Sequence, residues 1–418
     1  MDNGGNALDF GNLKVVSALG RGAKGLVFLA KTYEGQWLAL KVVSKALIRM
    51  RNSSHRKRVS FEQQILRRFN HPLLPRLRGV LETEELLGFA IDFCHGGNLH
   101  SLRRKQSEKT FTVDAIRFYA VELVTALDYL HNIGVVYRDL KPENILIQES
   151  GHIMLVDFDL SKKLNPKSPQ SVSAMSSPSS DSALLLDRRK RLLPGFCYCH
   201  SGVIPLDSDS QLGMNSPARS ESDSVEKSNS FVGTEDYVSP EIITGEGHNF
   251  SADWWSLGVV LYEMLYGMTP FKGVNRKNTF QRILTKQPDL TGETTPLKDL
   301  IKKLLEKHPD RRIEVDEIKC HDFFKGVNWN SVLQIARPPY IPQNDIEDKA
   351  GFSRKDVESF VHKVFFKNDS HKEDKTKETE KKKINGANRN NIYDKNQNTV
   401  WVNKLTEKPT KNGDFLVF

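Results

Sequence analysis

The stretch that most constrains this chain is VVYRDLKPENILI, Val135 to Ile147, followed after a short turn by IMLVDF, Ile153 to Phe158. An amphipathic helical pattern, DAIRFYAVELVTALDYLHNIG, leads into it, with apolar positions recurring at three and four and Gly134 supplying a stop. The loop after that helix holds Tyr137, Arg138, Asp139, Lys141 and Asn144. An acid, a cation and an amide therefore share one turn-rich span before a short apolar strand, and Asp157 closes the next strand. A plain polar loop is the alternative reading, but polar loops rarely write R-D-L-K-P-E-N by chance.

Upstream, LGRGAKGLVFLA sets Gly20, Gly22 and Gly25 at G-x-G-x-x-G spacing, which lets backbone N–H groups approach phosphate oxygens. In a dinucleotide-binding unit the third glycine would open a helix. Here LVFLA has β texture, so a hairpin is expected and an oxidoreductase reading fails. The next strand, LALKVV, carries a single cation, Lys41, which needs an anion if it is buried. Glu62 in SFEQQIL, on the following helical stretch, is the candidate partner, and the pair would hold Lys41 against nucleotide phosphates. Asp139 would then orient a substrate hydroxyl and accept its proton, and Lys141 would neutralise the γ-phosphate. Asn144 and Asp157 would hold Mg²⁺ through hard oxygen donors.

Residues 13–93 read as strands with one helix, and from Asp114 onward helical periodicity dominates. The expected fold is α+β, a small β-rich lobe (13–93) joined to a larger α-rich lobe (94–332), after an extension at 1–12. Ser-, Pro- and Asp-rich stretches bracket an insert, 163–227, that cannot bury enough surface to order itself. Residues 333–418 read as a mostly disordered tail ending in an apolar motif at 415–418. The longest apolar run, WWSLGVVLYEMLYG, is too short for a membrane span. The four cysteines do not make a disulfide framework, and Cys197, Cys199 and His200 lack a second pair at zinc spacing. The net charge of +9 lies in clusters without aromatic stacking motifs, so no nucleic-acid partner is expected. Arg188 to Arg191 in the insert are read either as a solvated loop or as an address to the nucleus or an anionic lipid surface. A monomer is expected, cytoplasmic or nuclear, with peripheral membrane contact open.

Together the glycine loop, RDLKPEN, FVGTEDYVSPE, DWWSLGVVLYEML and the final FLVF resemble the eukaryotic protein kinases. Within them the chain is similar to the AGC group, and to a plant-specific subfamily (VIII) that writes D-F-D and carries an insert before the activation segment. The resemblance implies a bilobal fold, ATP with Mg²⁺, serine/threonine specificity and a role in plant stress and oxidative signalling. It places nucleotide at Leu19, Gly20, Arg21, Gly22, Ala23, Lys24, Gly25, Val27, Ala39 and Lys41, with Ile91 as gatekeeper and Asp92 to Cys94 as hinge. It makes Ser230 the activation-loop phosphosite, facing Arg58, Arg138 and Lys162. It pairs Glu241 with Arg312 and sets Asp253 behind the catalytic loop. Glu143 and Glu263 match acids that bind basic residues before the target, although Asn98 stands where other members carry a further acid. Phe415 and Phe418 match the F-x-x-F that docks a hydrophobic pocket on the small lobe or recruits an upstream phosphoinositide-dependent kinase, the second being the favoured role. RPPYIPQ, Arg337 to Gln343, resembles the segment by which such tails leave the large lobe.

One departure is Asp159, where kinases usually place the glycine of D-F-G. Asp159 is expected to narrow the backbone range of the segment and to disfavour a flipped-out Phe158, with metal binding left to Asp157. The alternative is that two acids repel and weaken Mg²⁺ binding, leaving an impaired nucleotide-binding scaffold.

Overall fold

The structure, a computed structural model, describes residues 7–22, 25–50, 53–164, 232–335, 338–343 and 351–366. Ala23, Lys24, Ser230, Phe415, Phe418, the Cys197–Cys199–His200 group and the insert beyond Leu164 lie outside the described residues.

The small lobe begins with β1 (Ala7–Leu8), then β2 (Leu13–Arg21), β3 (Gly25–Thr32) and β4 (Trp37–Ser44). Two helices follow, α1 (Lys45–Met50) and α2 (Ser53–Leu66), then β5 (Leu77–Glu82) and β6 (Leu86–Asp92). The six strands form one sheet in the order β1-β5-β6-β4-β3-β2, antiparallel except for β1 against β5. Alternation along β3 and β4 sends Val27, Ala39 and Lys41 to one face, where they line a cleft, and Leu26, Phe28, Leu38, Leu40 and Val42 to the other. At the start of β3 a Cβ on Gly25 would stand 2.4 Å from the Val42 carbonyl oxygen, so strand packing alone demands the third glycine of the loop. The sequence pattern starts α2 at Arg58; the helix begins at Ser53, because the polar SSHRK turn is helical without an apolar face to announce it.

The large lobe opens with α3 (Leu99–Arg104), N-capped by the Asn98 side chain, which accepts from the Ser101 N–H at 2.8 Å. The long α4 (Val113–Asn132) is capped by Thr112 and stops ahead of Gly134, whose φ is 76°. Four short strands carry the loop region: β7 (Val135–Val136), β8 (Ile145–Ile147), β9 (Ile153–Leu155) and β10 (Lys162–Lys163). β7 pairs with β10 and β8 with β9, both antiparallel. The remaining helices are α5 (Pro240–Thr244), α6 (Ser251–Tyr266), α7 (Arg276–Thr285), α8 (Pro296–Leu304), α9 (Val315–Cys320) and α10 (Val332–Ile335). α6 is apolar nearly all round and buried from Ala252 to Met264, which makes it the central post of the lobe. Arg312 donates to both oxygens of Glu241, at 2.8 and 3.0 Å, in a pair closed off from water. Among the described residues no helix is long and apolar enough to cross a membrane.

The tail carries a helix that the sequence reading did not place. α11 (Arg354–Phe366) follows a bridge in which the Phe352 N–H donates to the Val15 carbonyl at 2.7 Å. Ser353 and Asp356 exchange hydrogen bonds at its N-terminus, and Val357, Phe360, Val361 and Val364 are buried at i, i+3, i+4 and i+7 spacing. Val357, Val361 and Val364 pack on the sheet face that carries Leu26, Phe28, Leu40 and Val42, where Leu8 and Phe10 join them, and Phe360 packs edge-on against Phe352.

Candidate active site

The cleft lies between the inner face of the sheet and the β8–β9 hairpin. Leu19, Val27, Ala39, Ile91, Cys94, Leu146 and Val156 give it apolar walls, and Lys41, Glu62 and Asp157 lie together at one side. Asp92 ends β6 at the rim of the cleft, and Cys94 follows two residues on. The Asp92 carboxylate turns outward to accept from the Arg76 N–H (3.0 Å) and Arg78 Nε (2.5 Å). Burial pushes the Cys94 thiol up, with Asp92 adding to the shift, so the thiol packs as a neutral group and donates to Met154 Sδ at 3.6 Å.

Lys41, on β4, reaches Glu62 Oε1 on α2 at 2.7 Å and Asp157 Oδ1 at 3.2 Å. Burial alone would favour the neutral amine, yet Asp157, Glu62 and Asp159 hold Lys41 well above the ordinary lysine value. The same burial, helped by Asp157 and Asp159, pushes Glu62 up to about 7 against the opposing pull of Lys41. Burial acts on Asp157 in the same direction, but Lys41 and Lys141 outweigh it and hold Asp157 below the usual carboxylate range. Phe158 is fully buried, 4.7 Å from Phe69 and 5.3 Å from Tyr137 between ring centroids. The segment is thus in the conformation that turns Asp157 toward the cleft and Phe158 toward the core.

A few ångströms of polar side chain complete the loop. Asp139 accepts from Lys141 Nζ (2.7 Å), Asn144 Nδ2 (3.0 Å) and Thr234 Oγ1 (2.7 Å), and Lys141 also donates to Thr234 at 3.0 Å. Burial is the main cause that raises Asp139, with Lys141 opposing it. Asn144 Nδ2 also donates to the Asp139 carbonyl at 2.9 Å, while its Oδ1 is buried with no hydrogen-bond partner. The orphaned Asn144 oxygen and the Asp157 carboxylate, on chain segments joined by the Val156 N–H to the Asn144 carbonyl at 3.0 Å, are oxygen donors of the kind that fits Mg²⁺. Among the described residues the non-glycine positive φ angles are those of Lys109, Arg138 (70°) and Asp157 (59°), two of them in this site. Asp253 holds the strained loop from below, accepting from the Tyr137 and Arg138 N–H groups at 2.9 and 2.7 Å and from His131 Nε2 at 2.8 Å. Tyr137 Oη donates to the Val156 carbonyl, which ties the loop to the strand before Asp157.

The other sequence-predicted residues are placed less uniformly. Arg21 turns its side chain to the outer face of the sheet, away from the cleft, so only its backbone can serve a nucleotide. Arg138 donates through Nε to the Leu160 carbonyl at 2.6 Å, and its guanidinium lies 3.2 Å from His248 Nε2. Burial and the nearby Arg58 charge lower Arg138 to about 10, against Asp253. Lys162 sits on β10 in register with Val136. Glu263 is buried and both its oxygens are taken, by Arg103 at 2.8 Å and by Tyr237 Oη at 2.5 Å. Glu143 has Oε1 at 3.5 Å from His100 Nδ1 and Oε2 buried without a partner. Sequence reasoning passed over Thr234, Arg103 and His248. Burial, then the Arg138 charge, lowers His248 to about 4, so it faces Arg138 as a neutral imidazole. A single hydroxyl or imidazole in a polar loop has no periodicity to betray it.

The protein kinase domain model matches residues 13–179 and 213–324. The chain belongs to the protein kinase family. This kinase is 52% identical to serine/threonine-protein kinase OXI1 of Arabidopsis thaliana over 99% of its own length and 98% of that protein's. It is 42% identical to the Arabidopsis serine/threonine-protein kinase UCN over 82% of its length and 87% of the relative's, and 42% identical to AGC1-5 over 81% and 61%. It is a serine/threonine kinase of the plant AGC group.

Proposed function

We propose that this kinase transfers the γ-phosphate of ATP to serine or threonine in basic protein segments, once Ser230 has itself been phosphorylated. One observation carries the catalytic part: Lys41, Glu62 and Asp157 are closed on one another while Asp139, Lys141, Asn144 and Thr234 form a single hydrogen-bonded group. Lys41 is held cationic where nucleotide phosphates would lie. Asp139 is fixed in orientation, ready to accept the proton of an incoming hydroxyl, and Lys141 is held beside it to offset charge on the transferred group. Mg²⁺, held by Asn144 and Asp157, would neutralise charge on the phosphate oxygens. Asp159 is compatible with this arrangement, because its backbone is not among the left-handed positions and its N–H lies 3.4 Å from Asp157 Oδ1. Nothing in the site favours the impaired-scaffold reading.

Substrate choice rests on Glu143. Its buried, unpaired oxygen is an acceptor without a donor, which a guanidinium of the substrate would supply, whereas each Glu263 oxygen already has one. Asn98 is spent on capping α3. Arg138, Lys162 and Arg58 supply cations for a phosphorylated Ser230, delivered by a phosphoinositide-dependent kinase recruited through Phe415 and Phe418. A place in plant stress and oxidative signalling follows from the kinship with OXI1. The deciding experiment is ³²P transfer from Mg·ATP to a serine peptide with upstream arginines, by wild type beside Asp157→Ala and Asp159→Gly. Transfer that is lost at Asp157 and kept at Asp159 is expected. No transfer by Ser230-phosphorylated wild type would overturn the reading.

A further inference from the structure

The sequence from Gly20 to Gly25 holds three glycines, the residue type with the most backbone freedom to lose when a ligand fixes it. Its entry strand shows how that loss is reduced. In the β2–β3 register Gly20 stands opposite Val27, which lines the cleft, and Arg21 stands opposite Leu26, which faces away from it. Arg21 therefore projects from the outer face at the root of the loop. There it meets the C-terminal turn of α11: its guanidinium donates to the Val364 carbonyl at 3.3 Å and lies 5.3 Å from the centroid of the Phe365 ring. The Val364 carbonyl is in the last turn of the helix, where carbonyls lack intrahelical donors and a cation is favoured by the helix dipole. The helix is itself pinned to the sheet by Val357, Val361 and Val364, and its approach is fixed by the Phe352–Val15 bridge.

We infer that α11 is a positioning element for ATP and that Arg21 is its point of action, holding the root of the phosphate-binding loop from the face opposite the nucleotide. The inference rests on the kinase reading of the cleft. Arg21 touches no substrate atom through its side chain. It pre-orders the loop so that less conformational freedom is lost when nucleotide binds, which affects affinity for ATP and leaves the transfer step alone.

The test uses the full chain as wild type, Arg21→Ala, Arg21→Lys, Phe365→Ala and the Arg21→Ala/Phe365→Ala double variant. For each, Mg·ATP binding is measured by calorimetry, together with KM for ATP, kcat on a serine peptide, and Tm. Arg21→Ala, which removes both the hydrogen bond and the cation–π contact, is expected to weaken ATP about tenfold or more, and Phe365→Ala, which removes only the cation–π contact, about two- to fivefold. kcat and Tm should stay near wild type, and Arg21→Lys should recover part of the affinity. The double variant should be within about twofold of Arg21→Ala, because loss of Arg21 already removes both contacts. Unchanged ATP binding in Arg21→Ala would overturn the inference, as would effects that multiply in the double variant. A joint fall of Tm and kcat at constant ATP affinity would also overturn it, since it marks a merely structural contact. Calorimetry reads the binding constants whether or not peptide transfer occurs, so failure of the kinase reading is seen separately, in the wild-type transfer rate.

Discussion

Asp159 stands two residues after Asp157, which is held left-handed at φ 59°, yet has no such demand on its own backbone. A glycine there would add conformational freedom that this state does not use. Asp159→Gly is therefore expected to keep phosphate transfer and to bind inhibitors that need a flipped-out Phe158 about two- to fivefold more tightly, matching the backbone freedom gained. Equal inhibitor affinities in the two proteins would count against it. Asp139→Asn should lower kcat by about 10²- to 10⁴-fold, the usual range for a positioned base, with Tm close to wild type. For peptide recognition, Glu143→Gln should raise KM about tenfold for a substrate with upstream arginine and leave a lysine- and arginine-free peptide unaffected, as expected for one charge-assisted hydrogen bond. Much of this site was legible because its acids, amide and lysine fall in a short ordered phrase, and the order of glycine loop, Lys41 and Glu62 singled out a glutamate that is unremarkable alone. Thr234 and His248 were not legible, since their roles come from loops that the fold brings back on Asp139 and Arg138.

At the level of elements, α4 is joined to the β8–β9 turn by a buried carboxylate. Glu122 accepts from the Ile153 N–H at 2.8 Å and hydrogen-bonds His152 Nδ1. Burial raises Glu122, and the hydrogen bond to Glu122 raises His152. Both shifts mean that the folded chain binds protons more tightly than the unfolded one, so stability is lost as pH rises, from the ordinary glutamate value of 4.5 through the raised histidine value above 6.5. Tm should fall across that window in wild type, and Glu122→Gln/His152→Gln should flatten the slope; parallel slopes would refute the assignment. Strands and long helices were readable from period and texture, and α4 and α6 fall close to their expected limits. α11 was missed although Ser353-x-x-Asp356 and the apolar spacing from Val357 to Val364 spell it. The charged residues between those positions lowered the segment to the composition of its polar neighbours, and a helix of this kind is fixed by the sheet it lies on rather than by its own propensity.

Across the whole molecule the buried Glu241–Arg312 pair ties α5 to the loop after α8, with side chains 2% and 0% exposed. Arg312→Leu should cost about 3–5 kcal/mol in chemical denaturation, because it leaves a carboxylate buried without its cation, and Glu241→Leu/Arg312→Leu should recover part of that loss. A double variant no more stable than the single one would refute this account. The homologous domain ends at residue 324, but the sheet it contains is finished by a helix that begins thirty residues later. A chain cut after Gln343 would keep every residue of the cleft and still present Leu26, Phe28, Leu40 and Val42 to water as one apolar patch. Such a protein should self-associate in light scattering, whereas one ended beyond Phe366 should not. For expression or crystallisation, the useful boundary is therefore set by solubility and lies well past the end of the catalytic homology.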